Sequence, residues 1–129
     1  MRNASRKILI VDSNNSFRES LGEFIKSLGH EVFEAATGPE AVEKTTSVLP
    51  DLIIMDVGLP GMHGDEVTSR LKANRSTRNI PIIIGSGWTP PFNVKGRLER
   101  ALNAGAVEVL YKPFQFTMLR DVMRAHLLA

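Results

Sequence analysis

The sequence contains no cysteine. This absence excludes a disulfide framework, a thiolate zinc site, an iron–sulfur cluster and a cysteine nucleophile. Excess charge of one sign is also small, because 16 Lys and Arg residues are offset by 14 Asp and Glu residues. A net charge of +2 therefore gives no indication of a nucleic-acid or membrane partner.

Long apolar runs are absent as well. No run approaches the roughly 20 residues needed to cross a bilayer, and the start of the chain lacks the apolar stretch and cleavage site of a signal peptide. We therefore expect a soluble, cytoplasmic protein. Its 129 residues, 43% hydrophobic and 23% charged, predict one domain over residues 1–129, with a core at about residues 6–127.

Short apolar runs do occur, and they predict strands. Runs that are apolar on both faces are typical of strands covered on both sides of a parallel sheet, and they lie at residues 8–11, 52–55, 80–84 and 107–111. Residues 31–35 alternate more, as expected of an edge strand.

The segments between these runs carry apolar residues at helical spacing. One stripe comprises Phe17, Leu21, Phe24, Ile25 and Leu28, a second comprises Val94, Leu98, Ala101 and Leu102, and the last comprises Leu119, Val122, Met123 and Leu127. Residues 64–74 predict a further helix, and Thr37 with Glu40 predicts a capping box that opens another.

Strand and helix thus alternate five times, which predicts an α/β protein. We expect the flavodoxin-like doubly wound (βα)5 fold, a three-layer sandwich with a parallel five-stranded sheet in the order 2-1-3-4-5. Ligands of such sheets bind at the carboxyl ends of the strands, at the point where the strand order reverses.

Two acidic residues, Asp12 and Asp56, end the first and third strands and should face each other there. Neighbouring carboxylates repel unless a cation lies between them, and a hard divalent cation such as Mg²⁺ prefers oxygen ligands. Taken singly, each Asp is better explained as a helix cap, since Asp is common after strands. Their joint placement favours a metal site.

Two more polar residues follow the remaining strands. Ser86 lies between two glycines after the fourth strand, and Lys112 follows the fifth and precedes Pro113. A hydroxyl and an ammonium both suit a phosphoryl oxygen, and we expect Lys112 to reach toward Asp56. Taken alone, Ser86 is an ordinary turn residue and Lys112 an ordinary surface charge. The prediction of a phosphoryl-binding site therefore depends on all four polar residues lying at the same edge of the sheet.

Several motifs together resemble the receiver domains of bacterial two-component response regulators, over roughly residues 6–127. The matching segments are ILIVD ending at Asp12, IMD ending at Asp56, LPGMHG at 59–64, IPIIIGSG at 80–87, AGA at 104–106 and KPF at 112–114. The resemblance implies that Asp56 is the phosphoacceptor, assisted by Lys112 and Ser86. It also implies Mg²⁺ as cofactor, held by Asp12, Asp56 and the backbone carbonyl of Gly58, and a cis Lys112–Pro113 bond.

The same resemblance implies the partners and the output. The phosphoryl donor would be a sensor histidine kinase or a histidine phosphotransferase. The fourth helix, fifth strand and fifth helix, about residues 92–127, would signal to a downstream protein or output domain. We expect no turnover beyond self-phosphorylation and self-dephosphorylation, no direct contact with nucleic acid or membrane, and a monomer or a phosphorylation-dependent dimer.

Three features depart from the family pattern. Ser13 stands where receivers carry a second acid, so we expect weak Mg²⁺ binding and regard Ser13 as a doubtful ligand. Val109 replaces the aromatic residue that usually moves with the switch hydroxyl; Tyr111 is nearby, but we expect it to be a packed strand residue. The stretch between Ser86 and Gly105 is longer than usual and contains Trp88, Pro90, Pro91 and Phe92, which we expect either to contact a partner or to cover the site.

Two alternatives remain open at this stage. Ser13 and Val109 favour a degenerate pseudo-receiver that binds partners regardless of phosphorylation. A flavodoxin-like mononucleotide binder is less consistent with the sequence, because the loop after the first strand contains no glycine. The three histidines, His30, His63 and His126, show no metal-ligand spacing.

Overall fold

The computed structural model describes residues 4–86 and 94–127, without the side chains of Val94 and Lys95. The elements are β1 Lys7–Val11, α1 Asn15–Ser27, β2 Glu31–Ala35, α2 Gly38–Val48, β3 Leu52–Asp56, α3 Gly64–Ala73, β4 Ile82–Gly85, α4 Val94–Ala104, β5 Glu108–Leu110 and α5 Phe116–Leu127. None of the helices in these ranges is both long and apolar enough to span a membrane.

The five strands form one parallel sheet in the order β2-β1-β3-β4-β5. The predicted fold class and strand order are therefore confirmed, and β2 lies at an edge as expected. Because β1 and β3 are neighbours whose helices leave on opposite faces of the sheet, their carboxyl ends flank an open crevice.

The continuous apolar runs form strands because both of their faces are covered. In β1, Leu9 and Val11 pack on the face covered by α2, α3 and α4, whereas Ile8 and Ile10 pack on the face covered by α1 and α5. The same alternation occurs in β3 and β4. Both cores fix the register of the central strands, since a slip of one residue would exchange the faces.

Some strand boundaries differ from the predicted ones. β4 begins at Ile82 rather than at Ile80, because Pro81 has no N–H to donate to the ladder. The carbonyl of Pro81 nevertheless accepts the N–H of Ile53 at 3.0 Å. β5 is shorter than expected and ends at Leu110.

Two predictions of buried side chains are wrong. Leu102 was placed on the apolar stripe of α4, but its side chain is exposed while Leu98 and Ala101 are buried. Tyr111 is not a packed strand residue, because β5 has already ended before it and the ring is exposed. The capping box at α2 forms with one change: Thr37 accepts the N–H of Glu40, but the Glu40 carboxylate accepts from Ala36 rather than from Thr37.

Candidate functional site

Four polar side chains meet at the carboxyl end of the sheet. Asp12 follows β1, Asp56 ends β3, Ser86 follows β4 and Lys112 follows β5. Asp12, Asp56 and Ser86 are at most 7% exposed, and the Lys112 side chain is 2% exposed. The structure thus brings together the four side chains that the strand order predicted to meet. Their burial places two acids and one base in a region of low dielectric.

Lys112 is the cation shared by the two acids. Its Nζ lies 2.5 Å from Oδ2 of Asp12 and 3.9 Å from Oδ1 of Asp56, and it also lies 4.3 Å from the centroid of the Phe17 ring. The expectation that Lys112 reaches toward Asp56 is therefore incomplete, because its shortest contact is with Asp12. The ammonium is positioned between two carboxylates and above an aromatic face, and all three attract it.

Asp56 is the less compensated of the two acids. Burial raises the pKa of its carboxyl, and the neighbouring Asp12 raises it further, whereas Lys112 and hydrogen bonds from the backbone N–H groups of Gly58 and Val57 lower it. Its Oδ1 is buried and has no hydrogen-bond partner in the part of the chain that the structure describes. An acceptor of this kind costs free energy unless a cation or a reacting group engages it.

Asp12 is held by the start of α1. Its Oδ1 accepts the N–H of Asn14 at 2.9 Å, and its backbone carbonyl accepts from Nη1 of Arg18 at 2.7 Å. Arg18 in turn pairs with Glu34 on β2 at 2.7 Å. The sequence reasoning missed Asn14, Arg18 and Phe17. Phe17 and Arg18 look like ordinary helix residues in the sequence, and only the fold places them beside the acids.

Ser86 and Lys112 are connected through the backbone. Oγ of Ser86 accepts the N–H of Lys112 at 2.8 Å, and the N–H of Ser86 donates to the carbonyl of Leu110 at 3.0 Å. A Cβ at Gly85 would lie 3.6 Å from Cε of Lys112, an ordinary van der Waals contact, so the lysine chain packs close to this position without requiring glycine there. The Lys112–Pro113 bond is cis, as the resemblance implies.

The loop after β3 requires glycine at its end. A Cβ at Gly64 would lie 2.7 Å from the carbonyl oxygen of Asp56, and the N–H of Gly64 donates to the carbonyl of Val57 at 2.8 Å. A Cβ at Gly38 would lie 2.1 Å from the carbonyl oxygen of Met62. The glycines at 38 and 64 thus allow the first turns of α2 and α3 to pack directly against the backbone of this loop.

The oxygen groups present fit a hard cation. Asp12 and Asp56 supply carboxylates, Oδ1 of Asp56 is unengaged by hydrogen bonds, and the carbonyl of Gly58 lies in the loop that follows. Ser13 is exposed and neutral, so it adds no charge. Within residues 4–86 and 94–127, no group of three or more His, Cys, Asp or Glu side chains could hold a metal.

Val109 and the segment from Trp88 to Phe92 are the other departures from the family pattern. Val109 is partly buried against the core cluster on the α2, α3 and α4 face, where it acts as a packing residue. The segment from Trp88 to Phe92 lies outside the described residues, so its two expected roles stay predictions.

Comparisons with known proteins agree with this geometry. The family model described as "Response regulator receiver domain" matches residues 8–124. Sporulation initiation phosphotransferase F of Bacillus subtilis is 32% identical over 123 residues, which cover 95% of this chain and 94% of that protein.

Solved structures agree as well. The chemotaxis response regulator CheY4 of Vibrio cholerae superposes with a TM-score of 0.84 at 29% identity, covering 96% of this chain and all of that one. The receiver domain of the sensor histidine kinase PA1611 from Pseudomonas aeruginosa gives a TM-score of 0.84 at 28% identity, covering 98% of this chain and all of that one. That structure contains a magnesium ion coordinated in its active-site cleft.

Proposed function

Because this chain belongs to the response regulator receiver domains of two-component signalling, we propose that Asp56 accepts a phosphoryl group and that the chain signals through α4, β5 and α5. The observation that carries the proposal is the state of Asp56. It is a buried carboxylate with one oxygen that no described residue engages in a hydrogen bond, and that oxygen lies 3.9 Å from the ammonium of Lys112.

The chemistry follows from the charges around that oxygen. Oδ1 of Asp56 attacks the phosphorus of a phosphohistidine, a P–O bond forms, the P–N bond breaks, and the imidazole leaves with the electron pair. Lys112 stabilises the negative charge on the transferred group. In the structure the Ser86 hydroxyl oxygen accepts a hydrogen bond from the N–H of Lys112. After transfer the hydroxyl rotates to donate its proton to a phosphoryl oxygen.

A divalent cation supplies further charge neutralisation when it is bound, and Asp12, Asp56 and the carbonyl of Gly58 would hold it. The site has two acids instead of the usual three, since Ser13 is neutral. Mg²⁺ binding is therefore weaker than in receivers that carry a second acid after β1. Lys112 also competes for Asp12, with which it forms a buried ion pair.

Exposed apolar side chains support the proposed signalling surface. The large hydrophobic residues that the structure leaves exposed in residues 94–127 are Leu102 at 45%, Val107 at 38%, Tyr111 at 69% and Met118 at 53%. They lie on α4, on both sides of β5 and on α5. Exposed aromatic and methionine side chains are typical of protein-binding surfaces, so this surface fits a downstream protein, and the donor would be a histidine kinase or phosphotransferase.

The test is an amide NMR spectrum recorded with and without Mg²⁺ and beryllofluoride, which mimics a phosphoryl group on an aspartate. We expect shifts at Asp56, Ser86 and Lys112 that spread to α4, β5 and α5. The matched control is Asp56→Asn, which conserves the shape of the side chain and removes the charge that the adduct needs. It should show none of these shifts.

A second candidate function is the pseudo-receiver, a module that binds partners without being phosphorylated. Two observations favour it: the neutral Ser13, and the ion pair that holds Lys112 closest to Asp12. It predicts no change in the spectrum at any Mg²⁺ concentration, and partner binding that Asp56→Asn leaves unaltered. Shifts confined to the pocket would instead mean phosphoacceptance without transmission.

A further inference from the structure

A cavity of about 150 Å³ lies at the end of the sheet opposite Asp56. Its walls come from the residues before β1, from the turn between α1 and β2, and from the last turns of α5. It shares no residue with the pair Asp12 and Asp56 or with Ser86 and Lys112. The volume is close to that of cavities that hold a single benzene-sized ring.

The wall of this cavity is strongly cationic. Arg6, Arg120 and Arg124 line it together with His30, and no Asp or Glu is among the lining residues that the structure describes. Burial and the charge of Arg6 lower the pKa of His30, while Asp51 opposes them, and Nδ1 of His30 accepts the backbone N–H of Arg6 at 3.1 Å. Three guanidinium groups around one small cavity repel one another unless an anion joins them.

The guanidinium groups are only partly engaged by the protein. Nη2 of Arg6 donates to the carbonyl of Leu127 at 3.2 Å, which fixes that side chain against the end of α5. Arg120 pairs with its exposed neighbour Asp121 at 3.3 Å, a contact of small energy. Arg124 has no carboxylate within 4.0 Å in the described residues. Arg6, before β1, and Arg120 and Arg124, on α5, therefore offer N–H donors to an anion from two sides of the cavity.

The rest of the lining is apolar. Leu28, Met123 and Leu127 contribute to the cavity, and Met123 is also part of the core that packs against α1. From this combination we propose that the cavity is a binding site for a small organic phosphate, whose dianionic head contacts the arginines and whose compact apolar body contacts Leu28 and Met123. The planar guanidinium fork matches phosphate oxygens, and three positive charges favour a dianion over a monoanion.

The test uses phenylphosphonate, because its P–C bond cannot transfer a phosphoryl group to Asp56. Amide NMR titration of the full chain should give saturable shifts at Arg6, His30, Arg120 and Arg124. Affinity should fall roughly tenfold in Arg124→Gln. It should stay unchanged in Arg75→Gln, which removes the same charge from an exposed turn after α3, and in Asp56→Asn.

The comparison ligands test each part of the proposal. Inorganic phosphate lacks the apolar body and benzoate carries one negative charge, so both should bind at least several-fold more weakly than phenylphosphonate. Equal binding of inorganic phosphate would overturn the role of the apolar wall, and tighter binding of benzoate would overturn the phosphate class. Shifts at Asp56 that vanish in Asp56→Asn, equal affinity in Arg124→Gln, or no saturable shift up to roughly 10 mM ligand would each overturn the site itself.

Discussion

Replacing Asp56 with Asn should make the protein more stable at neutral pH. The carboxylate is 7% exposed, carries a buried oxygen without a hydrogen-bond partner among residues 4–86 and 94–127, and shares one ammonium with Asp12. Burying a charged carboxylate that is only partly offset by one shared ammonium costs more than burying a neutral amide of the same shape. Asn removes that charge, so we expect the free energy of unfolding to rise by about 1–3 kcal/mol. For a chain of 129 residues this corresponds to roughly 4 °C in Tm per kcal/mol.

The direction of the Asp56 pKa shift determines how the stability difference between the wild type and Asp56→Asn changes with pH. Since folding raises the pKa of Asp56, the folded state binds a proton more tightly than the unfolded state does. The wild type therefore loses stability as the pH rises from the unfolded pKa of 3.8 through the folded pKa. Asp56→Asn lacks this loss, so its advantage should be largest at neutral pH and should close as the pH falls toward 4.

The assay is urea denaturation followed by circular dichroism, at several pH values and without divalent cations. The control is Asp121→Asn, because the Asp121 side chain is 66% exposed and its removal should change the stability by less than about 0.5 kcal/mol. If Asp56→Asn were no more stable than the wild type at neutral pH, or if the gap did not depend on pH, Asp56 would not be the incompletely compensated buried acid that we infer.

Three further substitutions test neighbouring parts of the account. Lys112→Met leaves two buried carboxylates without their cation, so we expect a loss of about 3 kcal/mol at neutral pH that shrinks toward pH 4, measured by urea denaturation; a loss independent of pH would contradict this. Ser13→Asp adds a carboxylate beside the acidic pair and should tighten Mg²⁺ binding roughly tenfold or more in calorimetric titration, whereas equal affinities would refute weak binding through Ser13. Gly64→Ala would place a Cβ 2.7 Å from the carbonyl oxygen of Asp56 and should lower the stability of the folded protein by about 1–3 kcal/mol, measured by thermal denaturation. An unchanged Tm would show that the loop after β3 can move to accept the methyl group.

The strand order and the meeting of the acidic and basic residues were predictable from the sequence. Runs of Ile and Val mark strands buried on both faces, and alternation with helices leaves few topologies. Once the order is fixed, Asp12 and Asp56 must lie at the ends of adjacent strands, at the same edge of the sheet. These conclusions depend on pattern and chain connectivity, which the sequence carries directly.

The detail of the contacts was not predictable in the same way. The choice of Lys112 between two acids depends on distances of a few ångströms, which no spacing in the sequence encodes. Leu102 fits the period of the α4 stripe yet lies exposed, because its position is at the margin of the face that meets the sheet. Tyr111 follows the edge strand β5, which ends one residue earlier than the apolar pattern does. The end of the strand is set by backbone hydrogen bonds with β4, and hydropathy alone does not show where these stop.

The most direct test of the central claim is the intact mass of the protein after incubation with Mg²⁺ and a small acyl phosphate. We predict that the wild type gains the mass of one phosphoryl group, that the added mass is lost in mild base, as an acyl phosphate requires, and that Asp56→Asn gains nothing. An unmodified wild type, or equal modification of Asp56→Asn, would contradict the assignment of Asp56 as the phosphoacceptor.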